Sequence, residues 1–461
     1  MDTLASRIDT VPHRVINREK IPAKRYYDEA FFKLEQERLW PHVWQMACRL
    51  EEIPEVGDYV EYKNLDKSVI VVRTKSGVRA FHNACRHRGV QLVMGAGNCG
   101  VQGFICPFHG WRWNSEGENT FVYGRQSGIF SPDILNQAEI NLASCRLETW
   151  AGCAFINFDD TAAPLLEGLG SAAERMNVRN ADQLKMEWWY ATVLPTNWKL
   201  AMEGFMEGYH VMRTHPQLND RAPYNPYGMD VGAAPSRQRS GKESVAQMVD
   251  FLKRLSTGMS GMVHSSEVAI AESLQDMDVP DDVGGALGAF TVRLKDEITK
   301  QGRARGLPMP DINEVDTNTP HKQVEYIFPH FFLLPFFGSM SSYRIRPLTP
   351  ETCFFEIWSL TFMPEDQPRD RPRAPTILPY NSSEFPEIPQ QDYSNLPRQQ
   401  LGIHAGGFEE LRLAQGVEGL ISNYERLIDG YLARLSPEAL LNATKVVNSS
   451  GYEAAVMELG F

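Results

Sequence analysis

The spacing of apolar positions changes character several times along the chain. Over residues 28–39 apolar side chains recur at helical intervals and stop just before Pro41, which predicts a helix there. From 43 to 159 the texture becomes short alternating runs at 58–62, 68–73, 78–83, 103–106 and 153–158. Val, Ile, Phe and Tyr dominate these runs and Gly, Asp, Asn and Pro separate them, the pattern of a small antiparallel β domain. Helical spacing returns at 165–176, a strand is expected at 187–194, and 197–213 keeps helical periodicity with no interior proline. Residues 217–320 are poor in pattern and rich in Gly, Met, Pro and Ser, with helices expected at 263–274 and 286–299. A stretch that long reads as a lid or pocket wall rather than a plain connection. Strands at 342–348 and 353–362, a polar Pro-rich stretch at 364–389 and a final helix over 408–435 complete an α+β chain.

Composition narrows the function classes. The 461 residues are 43% hydrophobic and 23% charged, an ordinary globular balance. The net charge of −12 gives no general attraction to phosphates, so nucleic-acid binding is not expected. The longest strongly apolar run, 331–337, contains Pro335 and falls far short of the roughly 20 residues a membrane span needs. The opening residues Met1-Asp2-Thr3-Leu4-Ala5 have neither a basic nor an apolar region, so a secretory signal is not expected. Seven cysteines are too few for a disulfide scaffold of this length, which leaves the expectation of a cytoplasmic protein with reduced or metal-bound thiols.

Two of those cysteines sit in a pattern with chemistry. Cys85-Arg86-His87 is followed, after eighteen residues, by Cys106-Pro107-Phe108-His109. Two thiolates and two imidazoles could bind a tetrahedral zinc. Zinc fingers, however, put the cysteines in one half and the histidines in the other. Here each half holds one of each, so the Cys pair could hold one iron and the His pair another. With the flanking His87-Arg88-Gly89 and His109-Gly110-Trp111, the pair resembles the two loops of a Rieske [2Fe–2S] domain of the oxygenase type. Imidazoles in place of two thiolates raise the potential of such a cluster. The respiratory type adds a cysteine to each loop, and neither loop has one here.

A second constellation follows Asn197-Trp198-Lys199. If 197–213 is one helix, Glu203, Glu207 and His210 line one face. His215 precedes Pro216, which disfavours helical geometry at His215, so the helix should end near Arg213 and let His215 swing back towards His210. Two converging histidines are half of a facial iron triad whose third ligand is a carboxylate. The segment 197–215 resembles the catalytic motif of the Rieske non-haem iron oxygenase α subunits, the aromatic-ring-hydroxylating oxygenases. With the Rieske loops, this resemblance spans 26–435.

The resemblance implies a small all-β Rieske domain at 43–160 and a catalytic domain at 161–461 with an antiparallel sheet and long helices. The helical segment 1–42 would pack on the catalytic domain. It implies one [2Fe–2S] cluster on Cys85, His87, Cys106 and His109, and one mononuclear Fe(II) on His210, His215 and a later Asp followed three residues on by Asn. Asp392, with Asn395, fits that pattern, with Glu384 and Glu387 as rivals. Glu207 falls where the family has an acidic residue joining an iron-ligating His to a Rieske His of the next subunit. Many ring dioxygenases have Asp there, and the longer Glu is a departure. Glu203 reads as a structural or outer-sphere carboxylate.

Two glycine patterns are set aside. Gly95 to Gly100 matches GxGxxG but leads into a strand, so it reads as a hairpin turn, and Gly168 to Ala173 reads as a helix start without βαβ context. With no nicotinamide or flavin site expected, electrons must come from a ferredoxin or reductase. The implied protein is a terminal oxygenase that uses O2 to hydroxylate or cis-dihydroxylate an apolar, aromatic or polycyclic substrate. It would work as a homotrimer, with or without a β subunit. The rivals are a quaternary-amine or demethylating Rieske monooxygenase and a non-catalytic Rieske electron carrier. His264, His321, His330 and His404 have no metal-ligand spacing and are expected at the surface or in a pocket.

Overall fold

A computed structural model describes residues 7–219, 239–364, 372–452 and 454–461. The opening residues Met1 to Ala5 and the parts of the expected lid and Pro-rich stretch at 220–238 and 365–371 lie outside the described residues. The chain divides into two compact units. Trp40–Leu165, with the short stretch around Arg373, forms one, and most of the remainder forms the other. Among the described residues no helix is long and apolar enough to cross a membrane.

In the smaller unit an antiparallel sheet runs in the order Gln45–Arg49, Cys153–Asn157, Ser144–Trp150, Gly77–His82, Lys67–Thr74, Asp58–Asn64 and Ala96–Asn98. The strand Lys67–Thr74 has core on both faces. Ile70 and Val72 join a cluster with Cys85, Cys106, Trp111 and Trp113, while Val69 and Val71 join Cys48, Tyr62 and Ile156 on the other side. This explains its unbroken β-branched run. The glycine pattern at 95–100 contributes an edge strand, Ala96–Asn98, as well as a turn. A small second sheet, Phe104–Ile105, Arg112–Trp113 and Asn119–Phe121, carries the second Cys/His loop in its first hairpin.

The larger unit is built on the sheet Glu325–Ile327, Phe331–Pro335, Ser339–Thr349, Thr352–Thr361, Lys185–Leu194 and Thr376–Ile377, antiparallel except for its last pair. Several expectations are corrected here. Residues 165–176 form two short helices separated at Gly170. The described part of the pattern-poor stretch is largely helical: Gly241–Met259, Ser265–Ser273, Val283–Ala304 and Ile312–Asn318. The first of these had a legible start, because Ser240 and Glu243 form a capping box and Val245, Val249, Leu252, Leu255 and Met259 make a buried stripe.

The expected final helix over 408–435 is instead the strand Glu410–Arg412 and the helix Gly419–Leu432. Leu411 pairs with Ile21 across a two-stranded ribbon, so its partner lies at the other end of the chain. A further helix, Pro437–Ser449, starts at the Ser436 cap. Near the N-terminus Asp28 caps the helix Glu29–Arg38 by accepting from the Phe31 N–H. Arg25 then anchors this region through Glu425 at 2.6 Å and Asp429 at 2.5 Å, all three fully or almost fully buried.

Candidate metal centres

The two Cys/His loops of the smaller unit share one backbone frame. The Cys85 N–H donates to the Val90 carbonyl and the Gly89 N–H to the Cys85 carbonyl, at 2.8 and 2.9 Å. The Cys106 N–H donates to the Trp111 carbonyl and the Gly110 N–H to the Cys106 carbonyl, at 2.8 and 3.0 Å. Gly89 and Gly110 close these turns at φ 75° and 66°, a region costly for any residue with a Cβ. Asn83 braces the first loop by accepting from the Leu92 and Val93 N–H groups.

The frames differ only in where the histidine falls, and the two imidazoles meet with Nδ1 atoms 3.2 Å apart. Cys85 and Cys106 are buried and unbridged, whereas His87 and His109 are half-exposed. The His87 ring stacks on Trp111 at 5.0 Å. Burial, then the neighbouring His109 and Arg88, lowers the His87 pKa below 6.5, which favours the neutral, ligating imidazole. Two inward thiols and two outward imidazole nitrogens fit the donor set of a Rieske cluster.

In the larger unit His210, His215 and Asp392 offer ligand atoms that all lie within 4.8 Å of one another. The Asp392 Oδ1 is 3.1 Å from His215 Nε2 and 3.9 Å from His210 Nε2. Both rings are held from behind at Nδ1, His210 by Glu207 at 2.7 Å and His215 by Gln391 at 2.6 Å. Each Nδ1 therefore donates away from the centre, which in the neutral imidazole leaves the Nε2 lone pair facing in, the tautomer a cation needs. Two neutral imidazoles and one carboxylate fit a facial iron triad. Burial disfavours the His210 imidazolium, but the hydrogen bond and charge of Glu207, with Asp392, outweigh it and raise the pKa above 6.5. The rivals Glu384 and Glu387 are not part of this group. Glu387 is the first residue of the helix Glu387–Gly402, whose later turns carry Asp392 and Asn395.

The single helix expected over 197–213 is overturned. The helix Trp198–Glu203 stops, and a new turn, Val211–Thr214, begins after His210. The Tyr326 hydroxyl takes the Phe205 carbonyl, and the Phe205 and Met206 N–H groups bond three residues back instead of four. Glu203, Glu207 and His210 therefore do not share a helical face. Glu203 turns into the buried interior and accepts from the Tyr26 hydroxyl at 2.8 Å, while Glu207 folds back on His210. The expected ending before Pro216 is present: His215 leaves helical geometry at φ −119° and ψ 62°.

Glu207, His210 and Asp392 line one solvent-reaching cleft with Phe205, Asn395 and Gln399. Sequence reasoning missed Gln391 and Gln217; the only signal was their nearness to Asp392 and His215. It also misplaced His330, which is fully buried, so that burial, followed by the charges of Arg344 and Arg346, holds its pKa well below 6.5.

The chain matches two known families. Residues 43–124 match the Rieske [2Fe–2S] domain, and 177–434 match the ring hydroxylating alpha subunit (catalytic domain). It is 34% identical over 203 residues to the 2-aminobenzenesulfonate 2,3-dioxygenase subunit alpha of Alcaligenes sp, across 43% of this chain and 50% of that one. It is 31% identical over 211 residues to the carnitine monooxygenase oxygenase subunit of Escherichia coli (strain K12), across 45% of this chain and 55% of that one. These matches span about half the length of the curated relatives. A structure of naphthalene 1,2-dioxygenase with indole bound superposes with a TM-score of 0.62 at 22% identity, covering 93% of this chain and 95% of that one, which shows a shared fold. The catalytic-domain match takes in more than half of the residues, and it joins a Rieske [2Fe–2S] domain to a domain that binds mononuclear iron. The chain therefore belongs to the ring-hydroxylating oxygenase α-subunit family, whose cofactors are one [2Fe–2S] cluster and one mononuclear iron.

Proposed function

We propose that this chain is the terminal oxygenase component of a Rieske non-haem iron oxygenase. Its cluster ligands would be Cys85, His87, Cys106 and His109, and its iron ligands His210, His215 and Asp392. The convergence of those last three side chains carries the reading, because an electron carrier has no use for them. Bound Fe(II) would supply the oxygen-activating chemistry, and the cluster would supply electrons singly from a ferredoxin or reductase.

The protein's part is orientation. Glu207 and Gln391 fix the two imidazoles, and Asp392 adds the one carboxylate of the triad. Behind the ligand loop Phe205 joins a buried aromatic cluster. The Phe205 ring lies 4.7 Å from Phe332 and 5.1 Å from Tyr343, which itself stacks on Phe332 at 4.5 Å. Phe355 extends the cluster to Tyr393 at 5.2 Å. Of this cluster Phe205 reaches the cleft, beside Leu396, and these apolar side chains support an apolar, aromatic or polycyclic substrate, oxidised to a cis-dihydrodiol or to an alcohol. The carnitine relative keeps a quaternary amine as the second reading, since aromatic rings also hold such cations.

The protein should hold about three irons per chain with acid-labile sulfide, and show a Rieske paramagnetic signal on reduction. Turnover with labelled O2 on aromatic and quaternary-ammonium panels then separates the substrate classes. One tight zinc without sulfide would defeat the cluster reading, and oxidation of quaternary amines alone would defeat the aromatic one.

A further inference from the structure

His215 and Asp392 belong to different segments, and the residue beside Asp392 links them. Gln391 Oε1 accepts the His215 Nδ1–H at 2.6 Å, where His215 is only 3% exposed. The same Oε1 accepts from Gln217 Nε2 at 2.9 Å, and Gln391 Nε2 returns a bond to Gln217 Oε1 at 3.2 Å. The two carboxamides thus form a closed pair, and Gln391 cannot turn its amide round alone without losing both bonds. A turned amide would present N–H to Nδ1. His215 would then have to carry its proton on Nε2, the atom facing Asp392, and could not ligate a cation.

We infer that Gln391 is the positioning residue for His215, and that Gln217 holds the Gln391 amide in the orientation that leaves the His215 Nε2 lone pair free for iron. This rests on the reading of His210, His215 and Asp392 as the iron ligands. It assigns the two imidazoles unlike partners: a carboxylate, Glu207, behind His210, and a neutral amide behind His215. The helix Glu387–Gly402 then has two duties, since it carries one proposed ligand and orients another.

The test uses the full-length protein with its cluster intact. The mononuclear iron is removed with a chelator, and Fe(II) is returned anaerobically by equilibrium dialysis. Gln391→Leu keeps the bulk but has no acceptor, and it should weaken Fe(II) binding by about 10- to 100-fold with an unchanged Rieske spectrum. Gln391→Glu restores an acceptor and should bind Fe(II) at least as tightly as the wild type. Gln217→Leu removes only the clamp and should weaken binding by less than Gln391→Leu. If Gln391→Leu does not fold, the other two variants carry the test.

Wild-type affinity in Gln391→Leu, or in Gln217→Leu should that variant alone be available, would overturn the inference. Equal weakness in Gln391→Leu and Gln391→Glu would overturn it too, since packing rather than the acceptor would then matter. A wild-type protein that takes up no Fe(II) would instead overturn the iron-site reading itself.

Discussion

His210 donates its Nδ1–H to Glu207 Oε1 at 2.7 Å, and its backbone N–H to Glu207 Oε2 at 2.9 Å. One carboxylate therefore fixes both the ring and the turn that carries it. The same carboxylate lines the cleft that holds His210 and Asp392.

Glu207→Gln keeps the shape and removes the charge. An amide has one acceptor oxygen for the two His210 donors, so one of them loses its partner. We expect a normal cluster spectrum, retained mononuclear iron and an unchanged assembly state. Oxidation of the reduced cluster in a single turnover with substrate and O2 should slow by about 100-fold. A wild-type rate, or a fully active monomer, would remove the role in electron transfer between subunits that the family resemblance implies for Glu207.

Asp392→Ala should abolish turnover and lose mononuclear iron while leaving the Rieske spectrum unchanged, because the two proposed ligand sets share no residue. Glu387→Ala should keep iron and activity. The reverse outcome would move the third ligand to Glu387. Iron content and optical spectra of the two purified variants decide it.

Lys199 is fully buried, with its Nζ 2.7 Å from Glu35 Oε1 and 2.9 Å from the Arg25 carbonyl. Lys199→Met leaves the Glu35 carboxylate buried without its cation, a change that typically costs about 3–5 kcal/mol. The expected loss should appear as a lowered midpoint in denaturant unfolding, since this helix leads directly into the ligand loop. A change below about 1 kcal/mol would show that Glu35 takes up a proton at little cost.

The His264 Nε2 lies 3.2 Å from Glu187 Oε1, and the hydrogen bond to Glu187 outweighs burial and raises the His264 pKa above 6.5. The folded protein therefore holds this proton more tightly than the unfolded chain. The stabilisation is complete below pH 6.5 and fades as pH climbs through the raised value. Burial opposes ionisation of Glu187, but its bonds from His264 and Ser359 win and lower its pKa below 4.5. That contribution is present above pH 4.5 and is lost as pH falls through the lowered value. In Glu187→Gln, the apparent melting temperature should fall less than in the wild type as pH rises above 6.5. Parallel curves for the two proteins would show that the pair adds nothing.

The chemistry-bearing patterns were legible because they are local. Cys85-Arg86-His87, Cys106 to His109 and His215-Pro216 each occupy one turn, and the turn is dictated by its own glycine or proline. Asp392 with Asn395 was singled out only through the family resemblance, and the helix Glu387–Gly402 that carries both was not legible from local spacing. The apolar runs over 58–83 declared their strands, alternating in Asp58–Asn64, where one face is buried, and unbroken in Lys67–Thr74, where both are. Tertiary structure decided what depended on a distant partner. Helical periodicity over 197–213 could not foresee the helix stopping at Glu203, with the Phe205 carbonyl taken by Tyr326. Nor could the apolar spacing around Leu411 announce a strand whose other half is Lys20–Pro22. Periodicity reports which face of an element is apolar, whereas the partner that satisfies a backbone group or a buried charge can lie hundreds of residues away. That is why Glu203 went to Tyr26, and why Gln391 behind His215 emerged only once the chain was folded.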